Sequence, residues 1–194
     1  MKIGLFFGSF NPIHIGHLAI ANFMAEYTDL EEIWFVVSPH NPLKNKASLL
    51  ADYHRLELVE LSIEAYPQFK ASNIEFSLPQ PSFTIDTLSY LKEKHTNHEF
   101  ALIVGSDNLN SFTKWKNHEL LLHNHELYVY PRPGFKDEDV KLQGTIHIVP
   151  APLMEVSSSF IRQAIKEKKE IPFFLPSPAY QYIKEMHFYE KHEK

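Results

Sequence analysis

The sequence contains no cysteine among its 194 residues. A disulfide framework and a cysteine-based zinc site are therefore excluded. The chain also lacks a basic excess, since 19 Lys and Arg face 24 Asp and Glu for a formal net charge of −5. Proteins that grip long nucleic acids by the backbone usually carry the opposite balance. We therefore expect no nucleic acid partner.

Long hydrophobic runs are missing as well. The apolar run near the amino terminus, residues 3–7, is shorter than a signal-peptide core or a membrane span and leads directly into a motif. We expect a cytoplasmic protein with no membrane partner. The sequence also has neither a Walker A pattern nor G-x-G-x-x-G, which argues against a P-loop kinase and an ordinary dinucleotide dehydrogenase.

Short apolar runs alternate along the chain with segments of helical spacing. The predicted strands lie at residues 3–7, 33–37, 69–76, 100–104, 126–130 and 145–149, and the predicted helices at residues 15–27, 51–66, 84–94, 119–123, 160–168 and 178–187. The alternation predicts a doubly wound, Rossmann-like α/β fold, a parallel sheet with helices on both faces. We expect one domain over residues 1–194, with a C-terminal helical portion from about residue 157.

The segment GSFNPIHIGH, residues 8–17, joins the first predicted strand to the first predicted helix. Ligands of open α/β sheets bind at the carboxyl ends of strands. Gly8 permits a tight turn, and the helix start offers free N–H groups and a positive dipole end. His14 and His17 should project from one face there, and Gly16 leaves room for a ligand. These features predict a polyphosphate site.

Two other readings of the histidines stay open. A zinc pair would want His-Glu-x-x-His spacing or cysteine partners. Two unrelated surface histidines are also conceivable in a chain that holds 12 histidines.

Residues 8–17 resemble the signature of the H-x-G-H nucleotidyltransferase superfamily. Residues 155–162, EVSSSFIR, resemble its second signature, I-S-x-[ST]-x-[IV]-R, with Val156 where Ile is usual. Three further segments are similar to motifs of bacterial nicotinate-nucleotide adenylyltransferases. In the second of them, Phe83 stands where Tyr is more usual. They are SPHNPLK at residues 38–44, SFTIDTL at 82–88 and GSDNLNSFTKWK at 105–116. The five motifs occur in the expected order.

The resemblance implies transfer of the adenylyl group of ATP to nicotinate mononucleotide, which gives deamido-NAD (nicotinate adenine dinucleotide) and pyrophosphate in NAD biosynthesis. The attacking phosphate is already anionic, so catalysis should come from positioning and charge neutralisation. The implied catalytic residues are His14, His17, Lys44 and Arg162. The implied ATP-binding residues are Gly8, Ser9, Phe10, His14, Gly16, His17, Ser157, Ser159 and Arg162. Mg²⁺ is expected to arrive with ATP and to need few protein ligands, because it keeps its waters.

The resemblance also implies a site for the mononucleotide, formed by Asn11, Lys44, Thr84, Asp107 and Trp115. Trp115 would stack on the pyridine ring, and Thr84 with nearby N–H groups would receive the nicotinate carboxylate. Several alternatives stay open. Lys46 competes with Lys44, Trp115 can be a core anchor, Asp107 can be a helix N-cap, and Ser157 and Ser159 can each be a cap or a ligand.

Rival functions share parts of this pattern. The first is another transferase of the superfamily, acting on nicotinamide mononucleotide or pantetheine phosphate, and the second is a non-catalytic nucleotide-binding module. Class I aminoacyl-tRNA synthetases also contain His-Ile-Gly-His, but this chain lacks a K-M-S-K-S loop. The sequence leaves a homo-oligomer open, and it allows a frayed, disordered or dimer-forming tail at residues 188–194.

Overall fold

The computed structural model describes residues 1–39, 49–109, 111–134 and 142–190. Six parallel strands form one sheet in the order β3-β2-β1-β4-β5-β6. The strands are β1 (Lys2–Gly8), β2 (Glu32–Val37), β3 (Phe69–Ser72), β4 (Glu99–Gly105), β5 (Leu127–Tyr130) and β6 (Ile146–Ile148). This is the strand order of a doubly wound dinucleotide-binding fold, so the predicted α/β class is confirmed.

Helices connect the strands and complete the C-terminal part. They are α1 (Ile15–Tyr27), α2 (Asp52–Ile63), α3 (Thr84–Lys94), α4 (Ser106–Leu109), α5 (His118–Asn124), α6 (Ser158–Lys166) and α7 (Ser177–Glu185). All six predicted helices are confirmed, with ends that shift by up to three residues. The sequence did not predict α4, because four residues are too few to show a helical period. None of the described helices is both long and apolar enough to cross a membrane.

The prediction of one strand over residues 69–76 was wrong in its second half. The strand ends at Ser72, and Ile74–Ser77 form a 3-10 turn. Glu75 in that turn is buried and accepts a hydrogen bond of 2.8 Å from the hydroxyl of Thr87. Tertiary contact with α3 therefore stabilises the turn, and local spacing could not reveal this.

Alternate residues of each strand enter two different apolar clusters, as the pleat of a strand requires. Phe6, Phe35 and Ile103 join the cluster that includes buried residues of α1, α2, α6 and α7. Leu5, Val36 and Leu102 join the cluster that includes buried residues of α3 and α5. Both faces of the sheet are therefore covered, which explains why the strands read as continuous hydrophobic runs.

The chain changes its direction of winding at the centre of the sheet, where β1 lies between β2 and β4. Beyond the carboxyl ends of β1 and β4 lie residues 8–14, here named the N-terminal loop, and residues 105–109. A crevice at such a switch point is where open α/β sheets bind their ligands. The topology thus selects the carboxyl edge of β1 and β4 as the place to look for a site.

Candidate active site

The N-terminal loop is anchored in the core by one aromatic side chain. Phe10 has the left-handed φ of 43° that few non-glycine residues adopt. Its ring is 2% exposed and lies with its centroid 6.0 Å from that of Phe6 and 5.7 Å from that of Phe35. A Cβ atom on Gly8 would lie 2.8 Å from this ring, so Gly8 is required for the ring to pack. Any contact of Phe10 with ATP would therefore come from its backbone.

His14 and His17 lie together at the start of α1, as the sequence predicted. Their rings are stacked, with centroids 3.7 Å apart and planes at 27°. The backbone N–H of His14 donates to Nδ1 of His17 over 3.3 Å, so the proton of a neutral His17 ring sits on Nε2. A Cβ atom on Gly16 would lie 3.0 Å from Nδ1 of His14. Gly16 thus makes room for the His14 ring, and the room for a ligand that the sequence suggested there stays a prediction.

The environment of His14 keeps its ring neutral. The residue is 4% exposed, and its buried Nδ1 atom has no hydrogen-bond partner among the residues that the structure describes. Burial lowers the pKa of His14 to about 4, and the positive charge of Arg132 acts in the same direction. Neutral His14 can stack on His17 at neutral pH without a clash of two positive charges.

This pKa predicts a pH-dependent stability. Between the ordinary pKa of 6.5 and the folded pKa of about 4, the unfolded chain binds more protons at His14 than the folded chain does. The contribution of His14 is therefore complete above pH 6.5 and is lost as the pH falls toward 4. We expect the free energy of unfolding to drop by up to about 3 kcal/mol more in the wild type than in His14→Gln over this range. Urea titrations at pH 7 and 4.5 measure it, and equal drops in the two proteins would contradict the assignment.

Arg132 follows the carboxyl end of β5 and was not singled out from the sequence. Its Nε atom lies 3.5 Å from Oδ1 of Asp107, and its charge acts on His14. A Cβ atom on Gly105 would lie 2.3 Å from Oδ1 of Asp107 and 3.0 Å from Cγ of Arg132, so Gly105 allows these two side chains to meet. Arg132 could have been found from the sequence, because it is a cationic residue just after a predicted strand, and that strand lies next to β4 in the sheet.

Asp107 lies within the first turn of α4, which begins at Ser106. The alternative reading of Asp107 as an N-cap is therefore wrong. The hydroxyl of Ser106 instead accepts a hydrogen bond of 2.9 Å from the backbone N–H of Arg132. This bond links the carboxyl ends of β4 and β5.

The N-terminal end of α6 packs against the N-terminal loop. Ser157 is the N-cap of this helix and accepts from the backbone N–H of Phe160 over 3.2 Å. The hydroxyl of Ser158, which was not predicted, donates to the carbonyl oxygen of Pro12 over 2.9 Å. Ser157, one of the two predicted serines, is thus the cap of α6. The serine that contacts the N-terminal loop is Ser158, which was not predicted.

Arg162 lies beside the loop, as predicted. Its guanidinium donates to the carbonyl oxygen of Asn11 over 2.7 Å and to the hydroxyl of Ser159 over 3.3 Å. These bonds hold the guanidinium against the N-terminal loop, three positions before His14, with Ser159 beside it. The second signature is therefore brought next to the first one.

Arg55 of α2 is a further residue that the sequence did not reveal. Its side chain is fully buried, and it pairs with Asp52 over 2.6 Å. The guanidinium also donates to four backbone carbonyl oxygens, those of Ser9, Ser38, Pro39 and Leu50. Arg55 thereby joins the N-terminal loop to the segment after β2. Lys44 and Lys46, which belong to that segment, lie outside the described residues, so their predicted roles stay predictions.

The two segments predicted to bind the pyridine ring lie together. Thr84 is the first residue of α3, and Trp115 is half-buried and stacks on Phe112 with ring centroids 4.8 Å apart. Lys116 pairs with Asp86 over 2.8 Å. This ion pair connects the start of α3 to the Trp115 segment. Trp115 is anchored on the core through one ring face, so the two readings of this residue are compatible.

The arrangement provides donors for anionic oxygen atoms. Two imidazoles, the guanidinium groups of Arg132 and Arg162, and the N-terminal ends of α1 and α6 surround the N-terminal loop. Donor sets of this kind bind phosphate. Within the described ranges, no group of three or more His, Cys, Asp or Glu side chains is placed to hold a metal ion.

Comparison with known proteins agrees with this geometry. Residues 5–164 match the cytidylyltransferase-like family. A probable nicotinate-nucleotide adenylyltransferase of Flavobacterium johnsoniae is 55% identical over 98% of this chain and 100% of the relative. A protein of the same description from Christiangramia forsetii is 56% identical over 97% of this chain and 98% of the relative.

The fold has a close counterpart among solved structures. The nicotinic acid mononucleotide adenylyltransferase of Plasmodium falciparum, complexed with NaAD, superposes with a TM-score of 0.82 and covers 97% of each chain. Its sequence identity of 24% makes this a likeness of fold. The family match and the full-length relatives together show that the chain belongs to the cytidylyltransferase-like family and, within it, to the nicotinate-nucleotide adenylyltransferases.

Proposed function

We propose that this enzyme transfers the adenylyl group of ATP to nicotinate mononucleotide and releases pyrophosphate. One observation carries the proposal. The histidine pair and Arg162 surround the N-terminal loop after β1, and the paired Thr84 and Trp115 segments belong to the connections that leave β3 and β4 at the same edge of the sheet. A phosphate site and a ring platform at one edge suit the two halves of a dinucleotide.

The reaction needs no proton removal from the nucleophile. A phosphate oxygen of the mononucleotide attacks the α-phosphorus of ATP, and the bond from that phosphorus to the bridging β-phosphate oxygen breaks. The electron pair leaves with pyrophosphate. The barrier is electrostatic, since an anion approaches an anion, so preorganised donors supply the catalysis.

Each donor then has a role. The Nε2–H of His17 donates to the phosphate oxygens, and neutral His14 holds the His17 ring and contacts ATP. Arg162 and the newly found Arg132 neutralise charge on the phosphates. Lys44 belongs to the same catalytic set by sequence prediction.

The remaining predicted ATP ligands would contribute backbone groups, one hydroxyl and support for α6. Gly8, Ser9, Phe10 and Gly16 would present backbone to ATP, and Ser159 would add a hydroxyl beside Arg162. Ser157 supports α6 as its N-cap. Asn11, which was predicted to bind the mononucleotide, would instead shape the loop, because its buried side-chain oxygen accepts bonds from Leu50 and Tyr189 within the protein.

The mononucleotide would bind across the Thr84 and Trp115 segments. The pyridine ring stacks on the indole of Trp115, the N–H groups at the start of α3 receive the nicotinate carboxylate, and Asp107 accepts from a ribose hydroxyl. The helix start favours an anion, and this favours the acid over the amide.

Magnesium is proposed as the ion that accompanies ATP. The donors around the loop are imidazoles and guanidiniums, which suit phosphate, whereas Mg²⁺ prefers oxygen ligands and keeps several waters. The ion would therefore be held by the phosphates and would neutralise part of their charge. A cytoplasmic location and self-association stay predictions of the sequence.

Pyrophosphate release with ATP and magnesium tests the function. We expect turnover with nicotinate mononucleotide and a kcat/KM at least about tenfold lower with nicotinamide mononucleotide, because the amide lacks the charge that the α3 start attracts. A preference for the amide would overturn the substrate assignment. Turnover with pantetheine phosphate instead would show that the enzyme is a different transferase of the superfamily. No turnover with any acceptor would show that the protein is a non-catalytic nucleotide-binding module.

A further inference from the structure

The chain turns back on itself after α7. His187 and Tyr189 adopt left-handed φ values of 54° and 65°, and the backbone N–H of Phe188 donates to the carbonyl oxygen of Ile183 over 3.0 Å. Left-handed conformations are disfavoured for residues other than glycine, so contacts elsewhere must hold this turn. Phe188 and Tyr189 provide these contacts, since both pack against the apolar cluster that includes buried residues of α1, α2, α6 and α7.

This return brings Tyr189 to the N-terminal loop, 178 positions away in sequence. Its hydroxyl donates to Oδ1 of Asn11 over 2.8 Å. Burial raises the pKa of the Tyr189 phenol, whereas the charges of Arg162 and Arg55 act in the opposite direction. The phenol therefore stays protonated and remains a donor across the working pH range.

Asn11 connects three parts of the fold. Its Oδ1 atom accepts from the hydroxyl of Tyr189 and, over 3.2 Å, from the backbone N–H of Leu50. Its carbonyl oxygen accepts from Arg162 over 2.7 Å. Because Asn11 is 4% exposed, water cannot readily replace a lost donor. The orientation of the loop that precedes His14 thus depends on a hydroxyl near the end of the chain.

We propose that Tyr189 is a positioning residue for ATP, which acts through Asn11 to hold the N-terminal loop in the conformation that binds the phosphates. The proposal rests on the proposed function for the identity of the ligand. It gives the C-terminal segment a role in the active site, where the sequence alone suggested a frayed, disordered or dimer-forming tail. Asn11 and Arg162 transmit the effect, and Tyr189 need not touch the substrate.

The chain offers a matched control in Tyr182. This residue lies in α7 of the same C-terminal region, and its hydroxyl hydrogen-bonds to Nδ1 of His54 over 2.9 Å. Tyr182→Phe and Tyr189→Phe each remove one hydroxyl and keep the ring packing. They differ in that Tyr189 contacts the N-terminal loop.

We expect Tyr189→Phe to raise the KM for ATP about tenfold, the scale of one buried hydrogen bond. The KM for the mononucleotide should stay within twofold, and kcat should change less than the KM for ATP. Tyr182→Phe should leave the KM for ATP within twofold. Its Tm should fall by about as much as the Tm of Tyr189→Phe, since each variant loses one hydroxyl. An unchanged KM for ATP in Tyr189→Phe, or equal kinetic changes in both variants, would overturn the proposal.

A double-mutant cycle tests the route through Asn11. In an Asn11→Ala background, Tyr189→Phe should weaken ATP binding no further, because the acceptor is already gone. Full additivity would overturn the route. Equilibrium titration with a non-hydrolysable ATP analogue gives the same comparison without an acceptor substrate, so failure of the positioning role can be distinguished from failure of the proposed reaction.

Discussion

His17→Ala is expected to lower kcat by about 10²- to 10³-fold, the usual effect of removing one preorganised donor from a site of developing charge. In the neutral His17 ring the proton lies on Nε2, because Nδ1 accepts from the backbone N–H of His14 over 3.3 Å. Alanine removes that donor. It also removes a ring that contacts Phe6 and Phe10, whose centroids lie 6.0 and 5.1 Å away.

Steady-state kinetics with ATP and nicotinate mononucleotide measure the loss, and a thermal melt separates it from unfolding. His118→Ala is the control, since it removes a half-buried histidine at the start of α5 that is no part of the N-terminal loop. We expect nearly full activity from it. Turnover of His17→Ala within threefold of the wild type would end the catalytic assignment.

Arg55→Met is expected to lower the free energy of unfolding by about 3–5 kcal/mol, because several carbonyl acceptors around the buried guanidinium lose their donor together and each unsatisfied group costs about 1–3 kcal/mol. Methionine keeps much of the volume but donates no hydrogen bond. The carbonyl oxygens of Ser9, Ser38 and Leu50 would each lose a donor. Because Ser9 belongs to the N-terminal loop, the KM for ATP should rise as well.

Urea unfolding measures the stability change, and ATP titration of the folded fraction measures the binding change. Asp52→Asn is the control, because the amide oxygen can still accept from the Arg55 guanidinium and the Asp52 side chain is 42% exposed to solvent. It should cost less than about 1 kcal/mol. A loss below that figure for Arg55→Met would show that water or other donors replace the guanidinium.

Features that lie within one short segment of the chain could be predicted from the sequence. The apolar strands, the helical periods and the loop between β1 and α1 all lie within short segments, so residues 8–17 could be assigned to a helix start at a strand end. His14 and His17 share one helical face for the same reason. The second signature predicted Arg162 and a capping serine, and Ser157 caps α6.

Long-range contacts were beyond such reasoning. Arg55, Arg132 and Tyr189 stand in no recognisable motif, and each acts on a loop that is distant in sequence. Gly16 also has a role that the motif did not reveal, because a side chain there would meet the His14 ring.

The sequence by itself therefore determined the fold class, the family of the enzyme and the place of the N-terminal loop as the candidate phosphate site, since these follow from hydrophobic periodicity and contiguous motifs. The tertiary structure decided which groups hold that loop in place. The parallel sheet brings the carboxyl ends of β1, β4 and β5 to one edge, and the strand order makes these three strands neighbours. Because Asn11 and Arg55 are buried, their polar groups must be hydrogen-bonded within the protein. A buried polar group must find its partner in space, and no spacing rule along the chain records where that partner lies.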